Sequence, residues 1–269
     1  MGRVLRWQVS SRLLAGPIAL PFVEGSHLFA RRGMTGATGN WYCGLHEVGE
    51  MGFVLHFLRS QDLFLDVGAN IGSYTVLAAG GVGARVIAVE PIPSTFANLQ
   101  ANILLNGLAD HVEPHCVGLS GERSALRFSA DRDTVNHVMA DGESGEAINV
   151  PVLTMDELLA GRVPAVVKID VEGHERSVLE GARKTLANPG VAAVVMEING
   201  SGTRYGVSDD ELLTLMSGYG FSPCSYDPFA RCLRDWNPSS ANAVFVRDRS
   251  GANSRVAQAR RYRLVNGSI

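Results

Sequence analysis

Short intervals separate four residues that could bind a ligand: Asp66, Gly68, Asn70 and Gly72. They follow apolar residues that predict a buried β-strand, and they precede a segment that is compatible with a helix. Glycines in a turn between a strand and a helix let a ligand approach the bare backbone closely. Glu90 ends the next apolar segment, and an acidic residue at that point can accept hydrogen bonds from two ribose hydroxyls. The pattern therefore predicts a binding site for an adenosine-containing ligand.

A second pair of acidic residues, Asp170 and Glu172, follows the apolar segment 165–169, in which Lys168 is the only polar residue. Ligands of open α/β sheets bind at the carboxyl ends of the strands, so both carboxylates should face the ligand. Each could act as a general base or could bind a hard divalent cation such as Mg²⁺. The alternative is structural, because acidic residues also stabilise the N-terminus of a following helix.

Histidines and further carboxylates are other candidates for proton transfer. His137 could be the base, because histidine titrates near neutral pH, or it could simply be an exposed loop residue. His174 could join the two carboxylates or could face solvent from the first turn of a helix. Three more residues either line the site or have only a structural role: Glu197, Glu47 and His46.

The segments that must position these residues alternate between strand and helix patterns. Such alternation predicts a parallel sheet with helices on both faces, and an antiparallel strand near the C-terminus would make the sheet mixed. We therefore predict an α/β fold with a Rossmann-like mixed seven-stranded sheet, helices on both faces, an N-terminal extension and a small β insertion. The predicted strands are 63–67, 85–90, 112–117, 165–170, 191–197, 221–226 and 243–247. The predicted helices include 46–59, 73–79, 174–188 and 209–217.

Three regions are expected along the chain. Residues 1–49 should form N-terminal strands or a lid, and residues 50–249 should form the sheet domain with its insertion at 123–150. Residues 250–269 should form a flexible basic tail. Because Tyr262 is the only aromatic residue of the tail, a solvated end is favoured over a nucleic-acid-binding segment.

The composition is that of an ordinary globular protein. Its formal net charge of -3 gives no reason to expect a nucleic-acid partner. The four cysteines form no Cys-x-x-Cys pair, which is typical of reduced thiols in an intracellular protein, and we predict a cytoplasmic location. No segment reaches the ~20 uninterrupted apolar residues of a membrane-spanning helix. The sequence carries no indication of the oligomeric state.

The turn at 68–72 differs from the Gly-x-Gly-x-x-Gly pattern of nicotinamide-binding folds, and the chain has no Gly-x-x-x-x-Gly-Lys-Ser/Thr phosphate loop. It resembles motif I of class I S-adenosylmethionine-dependent methyltransferases. Further motifs narrow the resemblance to the FkbM family of methyltransferases, over roughly residues 40–246. The four motifs are Leu-Asp-Val-Gly-Ala-Asn-Ile-Gly at 65–72, Ala-Val-Glu-Pro at 88–91, Val-Lys-Ile-Asp-Val-Glu-Gly-His at 167–174 and Met-Glu-Ile-Asn at 196–199.

That resemblance implies S-adenosylmethionine as the cofactor. Asn70 stands where the family has a glycine, and asparagine tolerates positive φ better than most residues. The residues carried over are Asp66, Gly68, Asn70 and Gly72 in the cofactor loop, Glu90 at the ribose, and Gly118 and Leu119 against the adenine.

The resemblance also implies methyl transfer to a hydroxyl of a sugar, glycolipid or natural product, so the expected partner is a small-molecule or glycan acceptor. The candidates for catalysis are Asp170, Glu172 and His137, although the two carboxylates could instead contact the ammonium of the cofactor. Mg²⁺ is a possible second cofactor.

Three other functions remain open from the sequence. An RNA methyltransferase on the same fold usually carries an Asn/Asp-Pro-Pro-aromatic segment, and this chain has no Pro-Pro pair. A cofactor-binding protein without catalysis and a nicotinamide oxidoreductase are the other two. Acceptor specificity should lie in residues 1–49 and in the insertion at 123–150. Neither region has a sequence pattern that identifies the acceptor.

Overall fold

The computed structural model describes residues 2–129, 137–139, 143 and 145–269. The strands are β1 (Ile18–Pro21), β2 (His27–Ala30), β3 (Leu63–Val67), β4 (Arg85–Val89), β5 (Val112–His115), β6 (Gly118–Leu119), β7 (Ser124–Ser129), β8 (Ala147–Leu153), β9 (Val166–Ile169), β10 (Ala193–Glu197), β11 (Ser222–Asp227), β12 (Cys232–Asp235), β13 (Asn242–Val246), β14 (Arg263–Leu264) and β15 (Gly267–Ser268). The α-helices are α1 (Gly2–Leu13), α2 (Thr35–Cys43), α3 (Val48–Phe57), α4 (Ser73–Val76), α5 (Pro93–Leu105), α6 (Met155–Leu159), α7 (Glu175–Glu180), α8 (Arg183–Ala187), α9 (Asp209–Gly218) and α10 (Arg249–Ala257). A π-helical segment, Leu77–Val82, continues α4, and Ser201–Tyr205 forms a 3₁₀-helix.

The main sheet has eight strands in the order β12-β11-β13-β10-β9-β3-β4-β5. Strands β3, β4, β5, β9 and β10 run parallel, whereas β11, β12 and β13 pair antiparallel. The α/β class and the mixed sheet are therefore confirmed, with eight strands in place of the predicted seven. The additional strand, β12, has only Leu233 buried, so it lacks the apolar alternation from which a strand is predicted.

The register of the parallel strands brings their carboxyl ends to one level. Val67 of β3 lies beside Val89 of β4 on one side and beside Ile169 of β9 on the other. The residue that follows each of these three strands begins a loop at this edge. Gly68, Glu90 and Asp170 therefore come together although about a hundred residues separate the first from the last.

Apolar side chains cover both faces of the sheet, as the helix and strand patterns predict. One face packs against α3 and the α4–π-helix segment, where Phe53 and Leu77 are fully buried. The opposite face packs against α7, α8 and α9. The predicted single helix at 174–188 is instead two short helices that separate at Gly181, whose carbonyl accepts a hydrogen bond from the backbone N–H of Asp156 at 3.0 Å.

The N-terminal region is a mixture of helices and a β-hairpin, where strands or a lid were predicted. Strand β2 is fixed to α5 because the backbone N–H of Phe29 donates to Oδ1 of Asn102 at 2.7 Å. Trp7 of α1 is buried, and α1 contacts α2. None of the helices in the described part of the chain combines the length and the apolar character that a membrane-spanning helix requires.

The C-terminal segment is packed, so the prediction of a flexible basic tail is wrong. It forms α10 and a small hairpin of β14 and β15, and Val256 and Tyr262 are buried. Arg255 donates from Nε to the carbonyl of Phe57 at 2.7 Å and pairs with Asp62. The aliphatic stems and the guanidinium groups of arginines anchor this segment. Such contacts produce no apolar periodicity in the sequence, so the sequence did not predict a packed segment.

The predicted insertion at 123–150 contributes β7 and part of β8 to a second, three-stranded sheet of order β6-β8-β7. Residues 130–136, 140–142 and 144 of the insertion lie outside the described residues.

Candidate functional site

The turn after β3 is held in conformations that favour glycine. Gly68 and Gly72 have φ of 74° and 91°, and Asn70 has φ of 51°. A Cβ on Gly72 would lie 2.6 Å from Leu99 Cδ1, so this position also lacks room for a side chain. The backbone N–H groups of Gly68 and Ala69 both donate to the carbonyl of Val89, which fixes the turn to the end of β4. The chain thus has a glycine-containing turn between a strand and a helix at 68–72, and the backbone of this turn lies at the carboxyl edge of the sheet.

Glu90 is buried beside this turn with 5% of its surface exposed. Its Oε2 accepts from the backbone N–H of Asn70 at 2.9 Å, and its Oε1 accepts from that of Ile92 at 2.9 Å. Burial raises the pKa of Glu90 to about 7, although the two N–H donors oppose this rise. Each carboxylate oxygen keeps a lone pair for a further donor. The side chain is thus oriented and able to bind two hydroxyls.

Asp66 lies beneath the turn and is completely buried. Thr75 Oγ1 donates to its Oδ2 at 2.6 Å, and Lys168 Nζ lies 4.0 Å from its Oδ1. Burial raises the pKa of Asp66, and the Lys168 ammonium opposes that rise. Asp66 lines none of the three cavities at this edge of the sheet. Asp66 therefore lies beneath the turn, where Thr75 and Lys168 surround its carboxylate.

Lys168 is a central residue of the site that sequence reasoning did not select as a candidate. It points from β9 with 6% of its surface exposed. Its Nζ lies 3.0 Å from Asp170 Oδ2 and donates to the carbonyl of Gly68 at 3.1 Å. Burial disfavours the ammonium, but the surrounding carboxylates outweigh burial and raise the pKa of Lys168. The one polar residue inside an apolar strand was the signal that could have identified it.

Glu172 and Glu197 face the same sheet edge from the ends of neighbouring strands. Burial raises the pKa of Glu172 to about 7, and the negative charges of Asp170 and Glu175 add to the effect. Burial and the carboxylates of Asp170 and Glu172 raise the pKa of Glu197 to about 8. Glu172 has φ of 56°, a conformation that is costly for a residue with a side chain. Near neutral pH each group can exchange a proton, as a general base must.

Three cavities meet at this edge. The Glu90 cavity, of about 70 Å³, is lined by Glu90, Gly68 and Thr95 among others. A small slot of about 20 Å³ between Gly118, Leu119 and Phe128 continues it, because Gly68, Pro91, Phe128 and Val171 line both. The Glu197 cavity, of about 220 Å³, lies between the turn, α2 and the start of α3. A larger open groove of about 910 Å³ lies elsewhere and contains none of the sheet-edge residues.

Three residues line both the Glu90 cavity and the Glu197 cavity: Asn70, Asp170 and Glu172. A molecule in one cavity and a molecule in the other would therefore meet beside these side chains. All three were candidates from the sequence, but only the structure shows that they share this boundary.

The predicted histidines lie apart from this boundary. His137 is 1% exposed, its Nε2 lies 2.9 Å from Glu143 Oε1, and it lines none of the three cavities. The structure thus gives it a buried polar contact in the insertion in place of an exposed loop position. His174 lines the Gly118 slot, where its Nε2 lies 3.2 Å from Ser120 Oγ and burial lowers its pKa.

The carboxylates at the sheet edge do not assemble into a metal centre. Within the described residues, no group of three or more His, Cys, Asp or Glu side chains is arranged to hold a metal ion. Asp170, the first of the two predicted metal ligands, is engaged by the Lys168 ammonium. A cation of the protein itself therefore already compensates this carboxylate.

The sequence matches a family model described as the methyltransferase FkbM domain over residues 66–223, which is more than half of the chain. The matched region contains the turn, Glu90, Lys168, Asp170, Glu172 and Glu197.

Two curated proteins are similar to this chain. It is 32% identical over 167 residues to the hexuronic acid methyltransferase AglP of Haloferax volcanii, covering 61% of this chain and 65% of that protein. It is 28% identical over 198 residues to the 31-O-demethyl-FK506 methyltransferase FkbM of Streptomyces tacrolimicus, covering 61% of this chain and 74% of that protein. The match thus spans just under two thirds of the AglP protein.

Among solved structures, the chain is similar to the methyltransferase FkbM of Methylobacillus flagellatus. The identity is 17% and the TM-score 0.48, with 72% of this chain and 47% of that chain covered.

Proposed function

Because this chain belongs to the FkbM methyltransferase family, we propose that it transfers a methyl group from S-adenosylmethionine to a hydroxyl of a sugar, glycolipid or natural-product acceptor. One observation carries this proposal: Asn70, Asp170 and Glu172 line both the Glu90 cavity and the Glu197 cavity. A donor and an acceptor need such a common boundary, because the methyl carbon must pass directly from sulfur to oxygen.

The groups that line the Glu90 cavity and the Gly118 slot match the ribose and the adenine of a nucleoside in their chemistry. Glu90 is held by two backbone N–H groups with lone pairs left for the ribose hydroxyls. The slot offers a mainly apolar surface of Leu119, Phe128 and Val138 for the adenine. Gly68 and Asn70 line the Glu90 cavity, and Asn70 also belongs to the boundary, so the amino-acid part would bind beside them. Asp66 supports this loop through Thr75 and Lys168 without touching the ligand.

The Glu197 cavity is the proposed acceptor site. It is lined on one side by Thr35, Gly36 and Asn40 of the N-terminal extension and on the other by the ends of β9 and β10. The extension thus supplies a wall of the site, which agrees with the expectation that this region determines specificity. The 31-O-demethyl-FK506 methyltransferase is a relative whose name describes an oxygen acceptor.

Glu172 is the proposed general base. When bound, S-adenosylmethionine supplies an electrophilic methyl group on a good leaving sulfur, so the protein chiefly needs to align the acceptor and receive its proton. Glu172 lines both cavities, and its pKa is raised to about 7, whereas Asp170 is paired with Lys168. The acceptor hydroxyl would give its proton to Glu172 as its oxygen forms the new bond to carbon. The partly buried cavity limits competing water.

The family membership favours this function over a nicotinamide oxidoreductase, and the motif and charge arguments favour it over an RNA methyltransferase. Glu172 can receive the proton directly, so the proposed step does not depend on a magnesium ion. A cytoplasmic location remains part of the proposal, supported by four cysteines that are all free thiols.

Isothermal calorimetry with S-adenosylmethionine, S-adenosylhomocysteine and NADH tests the cofactor assignment. We expect the two sulfur nucleosides to bind and NADH to bind at least about tenfold more weakly. Transfer is then measured as S-adenosylhomocysteine release with a panel of glycosides and polyketide alcohols. Tighter binding of NADH would refute the cofactor assignment, and tight cofactor binding without transfer to any hydroxyl would favour a non-catalytic protein.

A further inference from the structure

Carboxylates dominate the lining of the Glu197 cavity. Within the described part of the chain, the charged residues on its wall are Glu47, Lys168, Asp170, Glu172 and Glu197, four acids and one base. They come from the start of α3, from β9 and the loop after it, and from the end of β10. His46 and Tyr74 are the other titratable side chains on the wall. The exposed guanidinium of Arg204 acts on Glu172 from outside the cavity.

The single ammonium of the wall is already compensated. Lys168 Nζ is 3.0 Å from Asp170 Oδ2, 4.0 Å from Asp66 Oδ1 and within hydrogen-bond distance of the Gly68 carbonyl. Asp170 and the Gly68 carbonyl lie within hydrogen-bond distance of the ammonium, and the Asp66 carboxylate adds a second negative charge nearby. Lys168 is therefore not available to balance a negative charge on an acceptor.

The remaining carboxylates keep an excess of acceptor groups. Glu47 accepts from Tyr74 Oη at 2.6 Å and from Asn242 Nδ2 at 3.0 Å, and neither donor carries a charge. Glu197 Oε2 is a buried atom with no hydrogen-bond partner among the described residues. Mutual repulsion with Asp170 and Glu172 adds to the burial that raises the pKa of Glu197. A further negative charge in this cavity would be repelled, whereas a hydroxyl would supply a missing donor.

We propose that the part of the acceptor that enters the Glu197 cavity is rich in hydroxyl groups and carries no acidic group. This inference rests on the proposed methyl transfer and specifies its acceptor. The cavity volume of about 220 Å³ suits a group of about the size of one sugar ring. A neutral or amine-bearing ring satisfies the carboxylates, and a uronic acid ring does not. The acceptor would thus differ in charge from the hexuronic acid for which the AglP relative is named.

The first experiment identifies the charge of the natural acceptor. The full-length protein is incubated with trideuteromethyl S-adenosylmethionine and a small-molecule and lipid extract of cells that carry this gene. Mass spectrometry then finds every product with the heavy methyl group and locates that group by fragmentation. We expect a methylated ring without a carboxylate, phosphate or sulfate.

An acidic group on the methylated ring would overturn this inference and would leave methyl transfer intact. Absence of any heavy-methyl product, with cofactor binding demonstrated by calorimetry, would count against the proposed transfer and against the inference that rests on it.

The second experiment tests whether Glu197 is a side chain that excludes acidic acceptors from the cavity. Glu197→Gln keeps the size of the side chain and, above the pKa of about 8 of Glu197, removes its charge, so at about pH 9 the share of acidic products from the same extract should rise at least about tenfold relative to the wild type. Glu122→Gln is the matched control, because Glu122 is exposed and lies outside the Glu197 cavity, and its product profile should equal that of the wild type. A profile of Glu197→Gln identical to the wild type would contradict the role given to the cavity carboxylates.

Discussion

The backbones of Gly68 and Asp170 are packed so closely that a Cβ on Gly68 would lie 1.8 Å from the carbonyl oxygen of Asp170. This contact joins the 68–72 turn to the loop that carries Glu172. Lys168 reinforces it, because its Nζ contacts the carbonyl of one residue and the carboxylate of the other. The two loops are therefore held together, and the boundary between the cavities depends on that contact.

Gly68→Ala should separate the two loops. A methyl group cannot fit against a backbone carbonyl at that distance, and the positive φ adds strain of roughly 1–3 kcal/mol. We expect the affinity for S-adenosylhomocysteine in calorimetry to fall by at least about tenfold. Gly107→Ala is the control, since Gly107 has φ of 65° and no atom lies within 4 Å of the position that its Cβ would occupy. Equal affinity losses in both variants would show that strain alone, without the contact, is responsible.

Glu90→Ala should weaken cofactor binding by removing the partner of the ribose hydroxyls. A hydrogen bond to a charged group contributes roughly 1.5–3 kcal/mol, so the dissociation constant should rise about 10- to 150-fold. Glu122→Ala, a surface change, should leave the constant within about twofold. Unchanged affinity in Glu90→Ala would remove this residue from the binding site.

The same carboxylate should make cofactor binding depend on pH. Burial raises the pKa of Glu90 to about 7 in the ligand-free protein, and the ionised form is the better hydrogen-bond acceptor. Affinity for S-adenosylhomocysteine should therefore rise from about pH 6 to about pH 8 and level off above. Calorimetry on Glu90→Gln, which cannot ionise, should give a flatter profile over that range. A wild-type profile as flat as that of the variant would contradict this assignment.

Asp170→Asn should reduce stability as well as turnover. The sequence made Asp170 a candidate for catalysis, and the structure shows that its carboxylate also compensates the buried ammonium of Lys168. Leaving that charge unpaired should cost roughly 1–3 kcal/mol of unfolding free energy, allowing for the partial exposure of Asp170. Combining it with Lys168→Met should restore part of this loss in urea unfolding. No recovery in the double variant would mean that the pair is not the source of the effect.

Glu172→Gln should lower turnover and spare cofactor binding. General-base catalysis contributes typically about 10²- to 10⁴-fold, so kcat should fall by that order while the S-adenosylhomocysteine affinity stays within a few-fold. Glu197→Gln serves as the comparison, because Glu197 lines the Glu197 cavity but not the Glu90 cavity. If Glu197→Gln lost more turnover than Glu172→Gln, the base would be Glu197.

Glu197 should make the ligand-free protein less stable at alkaline pH. Its pKa is raised from 4.5 to about 8, so its favourable contribution is fully present below pH 4.5 and is lost as the pH rises through 8. The unfolding free energy of the wild type should decline between about pH 5 and about pH 9. Glu197→Gln should be more stable than the wild type at about pH 9, by roughly 1–2 kcal/mol after solvent screening. A constant difference between the two proteins across this range would contradict the raised pKa.

The sequence by itself determined the parallel part of the sheet and the residues at its carboxyl edge. Apolar runs ending in Gly68, Glu90 and Asp170 were sufficient, because a buried parallel strand is a local pattern and its end is marked by the first polar or glycine residue. The family motifs then indicated the cofactor. Local pattern could not reveal β12 or the packed C-terminal segment, since side-chain anchors from distant residues hold them in place.

The tertiary structure alone decided which of these residues touch one another. Strand register places Lys168 between Asp66 and Asp170, which turns an isolated polar residue into the cation that joins two loops. It buries Asp66 beneath the 68–72 turn and His137 in the insertion, and it brings Glu47 and Asn40 of the N-terminal region to the wall of the Glu197 cavity. The physical reason is that charge compensation and burial depend on distances across the sheet, and spacing along the chain does not encode those distances.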